Sequence, residues 1–217
     1  MNKAPRLEPV HIRGRLEFAR NNMGRQWNLV IFSDEKKFNL DGPDGLNGYW
    51  RDLRKEPRYF SRRNYGGGSV MVWGAFSALG KLELRFVSKS MDGREYQEVL
   101  SRSLLPFLQR YRRLQVVFQQ DNAGVHRSKR PRRNDPDFVP MMRWFEDHGV
   151  DVLEWPSRSP NLNPIENLWG IIVRRIYDDN CQYQTVDELK EAILLAWNSI
   201  PEEIIQSLVD SMQNRVY

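Results

Sequence analysis

Leu29-Val30-Ile31-Phe32-Ser33-Asp34 and Val116-Val117-Phe118-Gln119-Gln120-Asp121 are two short stretches that each close on an aspartate. The first, with its nearly continuous apolar run, predicts a strand buried on both faces, and the second predicts another strand. Between them, Gly66-Gly67-Gly68 leads into residues 70–76 and 81–87, two predicted strands joined by a short turn with Gly80. Asp92-Gly93-Arg94-Glu95 predicts a capping box and a helix through Leu108, with Tyr96, Val99, Leu100, Leu104 and Phe107 as its apolar stripe. Beyond the second run, residues 141–148 predict a short helix stopped at Gly149, and 150–155 a short strand. The Pro/Ser/Asn-rich stretch 156–164 reads as loop. Ile165, Leu168, Trp169, Ile172 and Ile176 then recur at helical spacing. Thr185-Val186-Asp187-Glu188 is a second capping box before Leu189, Ala192, Ile193, Ala196 and Trp197, and Pro201 starts a last helix. The order β-β-β-α-β-α-β-α followed by helices predicts an α/β fold, with a mixed sheet that begins as a meander.

The 217 residues suit one domain or one domain with an appendage. Apolar residues make up 40% and include seven Trp, enough bulk for a full core despite 28% charged residues. The longest apolar stretches, 29–32 and 192–197, are far too short to span a bilayer, so no membrane partner is expected. Residues 1–20 carry charges throughout, without the apolar core of a secretory signal. Cys181 is alone, which excludes an internal disulfide and a Cys-rich zinc cluster. His11, His126 and His148 are too few to favour a His-based zinc site. The expected setting is a reducing compartment.

Charge is unevenly spread. Residues 178–217 hold Lys190 and Arg215 against eight acids, a net of −6, so of the formal +5 the first 177 residues carry +11. Arg51, Arg54, Lys55, Arg58, Arg62 and Arg63 form one cluster, and Arg127, Lys129, Arg130, Arg132 and Arg133 another. Either alone reads equally well as a solvated surface. Together they favour a polyanion, where each neutralised phosphate releases counterions.

Asp34 and Asp121 both sit at the carboxyl ends of predicted strands, where α/β sheets place their sites. Glu166 lies in the first turn of the helix after Asn161-Leu162-Asn163-Pro164. Carboxylates sharing one cleft repel unless a cation intervenes, and hard oxygen ligands suit Mg²⁺ or Mn²⁺. That set suits a two-metal phosphoryl displacement. Spacing alone also allows plainer roles. The aspartates serve as strand-end turn residues, and Asn163, Pro164 and Glu166 as N-cap, N1 and N3 of a capping box.

Phe32-Ser33-Asp34-Glu35-Lys36, Val70-Met71-Val72-Trp73-Gly74 and Gln120-Asp121-Asn122-Ala123 with His126 resemble the catalytic domain of the mariner superfamily of cut-and-paste transposases. The most specific block is Trp155-Pro156-Ser157-Arg158-Ser159-Pro160-Asn161-Leu162-Asn163-Pro164-Ile165-Glu166-Asn167-Leu168-Trp169, which looks like the Tc-type branch, whose third acid is Glu. The resemblance runs in order from about Arg15 to the end. It implies a ribonuclease-H-like mixed sheet flanked by helices, with C-terminal helices, and a catalytic domain over 15–217 behind a basic leader at 1–14.

The same resemblance implies an Asp-Asp-Glu triad of Asp34, Asp121 and Glu166 that binds two Mg²⁺ (or Mn²⁺) ions, with Asn122 and His126 supporting it. Hydrolysis at a transposon end would be followed by attack of the freed 3′-hydroxyl on target DNA, typically at TA. Residues 41–65 correspond to the region that reaches a second subunit, implying a homodimer, with Arg51, Arg54, Lys55, Arg58, Arg62 and Arg63 meeting DNA or the partner. Lys129, Arg130, Arg132 and Arg133 are further DNA-contact candidates or a nuclear-localisation cluster, so a nuclear location is expected. Two features depart from the family. The 44 residues between Asp121 and Glu166 exceed the usual gap, which places an insertion near 129–139. And no helix-turn-helix modules are expected before Arg15. The expected function is therefore metal-dependent cleavage and strand transfer, the alternative a non-catalytic remnant or domesticated DNA-binding, dimerising protein.

Overall fold

The computed structural model describes residues 7–42, 68–126, 135 and 137–216. In chain order its main elements are α1 (Pro9–Asn22), β1 (Val30–Asn39), β2 (Ser69–Ser77), β3 (Gly80–Lys81), β4 (Arg85–Val87), α2 (Gly93–Arg110), β5 (Val117–Gln119), α3 (Met141–Asp147), α4 (Ile165–Ile176), α5 (Val186–Asn198) and α6 (Glu202–Val216). The mixed α/β class and the C-terminal helices are as expected. Two details differ. The strand expected over 81–87 is split into β3 and β4, both antiparallel to β2. The strand expected over 150–155 is a single parallel bridge of Val152 to Phe118, because β5 is only three residues long. At the other end of the chain, α1 runs across the boundary expected at residue 14. Glu8 donates its N–H to His11 Nδ1 at 3.1 Å, with Pro9 at the first helical position. Charge obscured that helix in the sequence; Phe18, packed edge-on to Trp155 at 5.1 Å, anchors it.

β1 is the spine. It pairs antiparallel with β2 and parallel with β5, in the sheet order β3-β2-β1-β5. Alternation sends Val30, Phe32 and Phe38 to the face covered by α4, α5 and α6, and Ile31 to the face covered by α2 and α3. Asp92 caps α2 by accepting the N–H groups of Arg94 and Glu95 at 2.9 and 3.0 Å, but the expected box is only half made. Glu95 instead accepts from Ser88 N–H at 2.6 Å and from the Ser88 hydroxyl. At α5 both halves of the Thr185–Glu188 box are present. Among the described residues no helix is long and apolar enough to cross a membrane.

Lys81 secures the end of α5. Its Nζ donates to the carbonyls of Trp197, Asn198 and Ile200 at 2.7, 3.1 and 2.9 Å, satisfying groups that a helix terminus leaves without partners. Burial, then the Arg175 charge, lowers its pKa. Lys81→Met is expected to cost about 1.5–3 kcal/mol, the range for hydrogen bonds to charged groups. A shift in the urea midpoint at unchanged slope measures it; a shift below about 0.5 kcal/mol would show that water replaces the lysine.

Candidate active site

The register of β1 on β5 brings the two aspartates level. Val30, Ile31 and Phe32 pair with Val117, Phe118 and Gln119, and two further steps along each chain reach Asp34 and Asp121. Side chains lock this register. Ser33 Oγ donates to the Gln119 carbonyl at 2.8 Å, and Ser33 N–H donates to Gln119 Oε1 at 3.2 Å.

Glu166 arrives by packing. Asp34 stands opposite Gly74 on β2, and a Cβ on Gly74 would lie 2.7 Å from the Trp169 ring. The bare backbone therefore lets Trp169 lie against the sheet beside Asp34, and Glu166 is less than one helical turn before Trp169 on α4. Asn163 completes the link. Its Nδ2 donates to the Ser33 carbonyl at 3.0 Å while its Oδ1 accepts Ile165 N–H at 3.3 Å, so one buried side chain joins the strand that bears Asp34 to the helix that bears Glu166. Asn163 thus holds the first N–H of α4, but the helix starts at Ile165 with Pro164 at its N-cap, one residue later than the sequence suggested. The other half of that box is not formed, and Glu166 lines the cleft instead.

The three acids share a cavity of about 360 Å³, with Asn122, Ser157 and Arg158 on its wall. Asn122 Nδ2 holds the far side of the cleft, donating to the Trp155 carbonyl at 2.7 Å and to Ser157 Oγ at 3.3 Å. Burial raises the Asp34 carboxyl well above the usual range, and the charges of Glu166, Glu35 and Asp121 raise it further. Burial also raises Asp121, but hydrogen bonds from His126 and Ala123 N–H outweigh it and leave the group below its ordinary value.

His126 is buried, not a solvated loop residue. Its Nδ1 meets Asp121 Oδ1 at 2.7 Å and its Nε2 lies 3.3 Å from Glu35 Oε1. Burial lowers its pKa, but the two carboxylates more than compensate and bring it to about 9, so the ring is an imidazolium at neutral pH. Tyr96 stacks on it at 4.2 Å and donates its hydroxyl to Gln120 Oε1 at 2.7 Å. Glu35 was not singled out in the sequence. The signal was alternation: a residue next to Asp34 on a strand must face the other side of the sheet, where α2 brings Tyr96.

The basic candidates Arg51, Arg54, Lys55, Arg58, Arg62, Arg63, Lys129, Arg130, Arg132 and Arg133 lie outside the described residues, as does most of the dimerisation segment expected at 41–65. The described part of the expected insertion is tied to the core. Phe138 packs against Gly93, and Asp135 accepts from Arg94 Nε and Nη2, each at 2.5 Å.

Three carboxylates in one cavity, raising the pKa of the most buried, are the donor chemistry of a hard divalent cation. Among the described residues, however, no three His, Cys, Asp or Glu side chains are grouped closely enough to hold an ion as they stand. The donors are gathered but not closed around a centre.

The family described as DDE superfamily endonuclease matches residues 29–190. The chain is 54% identical over 216 residues to the Tc3 transposase of Caenorhabditis elegans, covering 100% of this chain and 63% of that protein. It is 37% identical over 222 residues to the Tcb2 transposase of Caenorhabditis briggsae, covering 98% of this chain and 76% of that one. Among solved structures it superposes on a Mos1 transposase paired-end complex with left transposon end at a TM-score of 0.80 and 17% identity, over 100% of this chain and 63% of that one. The catalytic domain of Mos1 mariner transposase matches at 0.71 and 14%, over 99% of this chain and 94% of that one. The fold is thus the ribonuclease-H-like one of those structures, and the chain spans just under two thirds of the Tc3 relative's length.

Proposed function

The chain belongs to the DDE superfamily of endonucleases, in the branch of the Tc transposases, and on that premise we propose that it is a transposase catalytic domain that cuts DNA at transposon ends and joins them to target DNA. The observation that carries this is the gathering of Asp34, Asp121 and Glu166 in one cavity by the β1–β5 register and the α4 packing. These three side chains would hold two Mg²⁺ or Mn²⁺ ions. Bound there, the ions would neutralise the carboxylates and stabilise charge on the phosphodiester oxygens during in-line displacement.

The chain's own contribution is placement. His126 keeps Asp121 ionised and fixes its orientation through the 2.7 Å bond. Asn163 and Asn122 hold the segments on either side of the cleft, so the acids need little reorganisation when substrate enters. The domain is read as 15–217, with α1 crossing its expected start. The basic clusters at 51–63 and 129–133 contact DNA, 41–65 contributes to a homodimer, and the protein acts in the nucleus.

One observation favours the non-catalytic alternative, the lack among the described residues of a three-ligand group that could hold an ion. Calorimetry with Mn²⁺ on the chain and on Asp121→Ala separates the two. The expected result is saturable binding that is lost in the variant, together with Mn²⁺-dependent strand transfer from preformed ends. Absence of binding by the folded wild type would overturn the catalytic reading in favour of a remnant that only binds DNA.

A further inference from the structure

The turn that closes the catalytic cavity carries a residue with no assigned role. Arg158 has φ of 55°, in the left-handed region where glycine is at ease and arginine is not. It is exposed and lines the same cavity as the three acids.

The segments on both sides of it are held in place. On one side Trp155 and Pro156 are buried, and Asn122 holds the Trp155 carbonyl and Ser157 Oγ. Ser159, 3% exposed, donates its hydroxyl to the Ser157 carbonyl at 3.1 Å. On the other side Pro160 begins a 3-10 turn over Pro160–Leu162. Asn161 in that turn is gripped from two helices: Arg15 Nη1 reaches its Oδ1 at 2.9 Å, and Arg215 Nη1 its carbonyl at 2.7 Å. A turn clamped at both ends that keeps arginine where glycine would be unstrained presents that side chain at a set position.

A guanidinium on the wall of a carboxylate cleft suits the other component of such a site, the anion that arrives with the substrate. Its planar fork of donors matches the oxygens of a phosphate. The exposure of Arg158 leaves it within reach of a strand lying in the cavity.

We propose that Arg158 is a DNA-backbone contact of the catalytic cleft, binding a phosphate of the strand that lies along Asp34, Asp121 and Glu166. This rests on the reading of the cleft as a DNA-cleaving site. The contact positions the strand and carries no sequence preference.

The test is binding of a short blunt DNA duplex, read by anisotropy in Ca²⁺ over a series of KCl concentrations. Wild type, Arg158→Gly and Arg158→Lys are compared, with Mn²⁺-dependent nicking of the same duplex assayed in parallel. In Arg158→Gly the slope of log K against log salt should fall in magnitude by about 0.9, the value for one duplex phosphate. Arg158→Lys should keep most of the slope. Glycine also relieves the positive φ, so the melting temperature of Arg158→Gly should equal or exceed that of the wild type, which separates lost contact from lost fold. A slope unchanged in Arg158→Gly overturns the contact while leaving the catalytic reading standing. Absence of nicking by a wild type that binds the duplex overturns the catalytic reading, and the slope still decides Arg158.

Discussion

Asp34→Asn is expected to abolish metal-dependent strand cleavage and, in the same protein, to raise stability when no metal is present. The loss of rate should be at least about 10³-fold, roughly 4 kcal/mol of barrier. An amide cannot replace a carboxylate as a charged ligand. The gain in stability comes from the direction of the Asp34 shift. Its carboxyl is raised in the folded chain by burial and by Glu166, Glu35 and Asp121. A raised acid binds its proton more tightly when folded than when unfolded. The folded state therefore loses stability as pH climbs from about 4, the unfolded value, through the raised folded value. Asparagine removes that loss, so the variant should melt higher than the wild type at neutral pH in chelator, and the difference should vanish near pH 3. With Mn²⁺ the order should reverse. A ligand at a hundred times its Kd stabilises by about 2.7 kcal/mol, which the wild type gains and the variant does not. Thermal melts with chelator and with Mn²⁺, at both pH values, read all of this. A variant that melts no higher than the wild type in chelator at neutral pH, or that gains as much from Mn²⁺, would show that Asp34 is not the strained member of a cation site.

The second large effect is on the fold. Trp169→Ala should destabilise the chain by about 3–5 kcal/mol, the cost of emptying a buried aromatic site. Trp169 is fully buried, edge-on to Phe38 at 6.0 Å, 5.6 Å from Trp197, and seated on Gly74. The urea midpoint measures the cost. Since the same ring fixes α4 against β1, Mn²⁺ affinity should also fall in the fraction that stays folded. Unchanged affinity in a destabilised Trp169→Ala would mean that Asn163 alone places Glu166. The converse change, Gly74→Ala, forces a methyl into the same ring and should destabilise by overpacking.

Much of this was legible in the residues themselves. Apolar runs ending in Asp34 and Asp121 declare strands and their ends, because a buried strand needs side chains apolar on both faces. Helical spacing from Ile165 to Ile176 declares α4 and its buried stripe. The Thr185–Glu188 box was readable because it is made between near neighbours. The Asp92 box was only half readable, since Glu95 found a closer partner in Ser88, which is remote enough in sequence that local rules do not foresee it.

Local chemistry determined β1, β2, β5 and the helices from α2 to α6, and which acids stand at the ends of β1 and β5, but not α1, the split of β3 from β4 or the reduction of residues 150–155 to one bridge. Tertiary structure alone decided that Asp34 and Asp121 are level, that Gly74 is the seat of Trp169, and that Asn163 joins β1 to α4. It also decided that His126 is a buried cation between Glu35 and Asp121 rather than a loop residue in water. Each of these rests on a contact between residues dozens of positions apart or on opposite faces of one strand. Periodicity and capping are set by forces that reach one turn or one pleat, whereas register and close packing come from the fit of surfaces that meet only after the chain has folded.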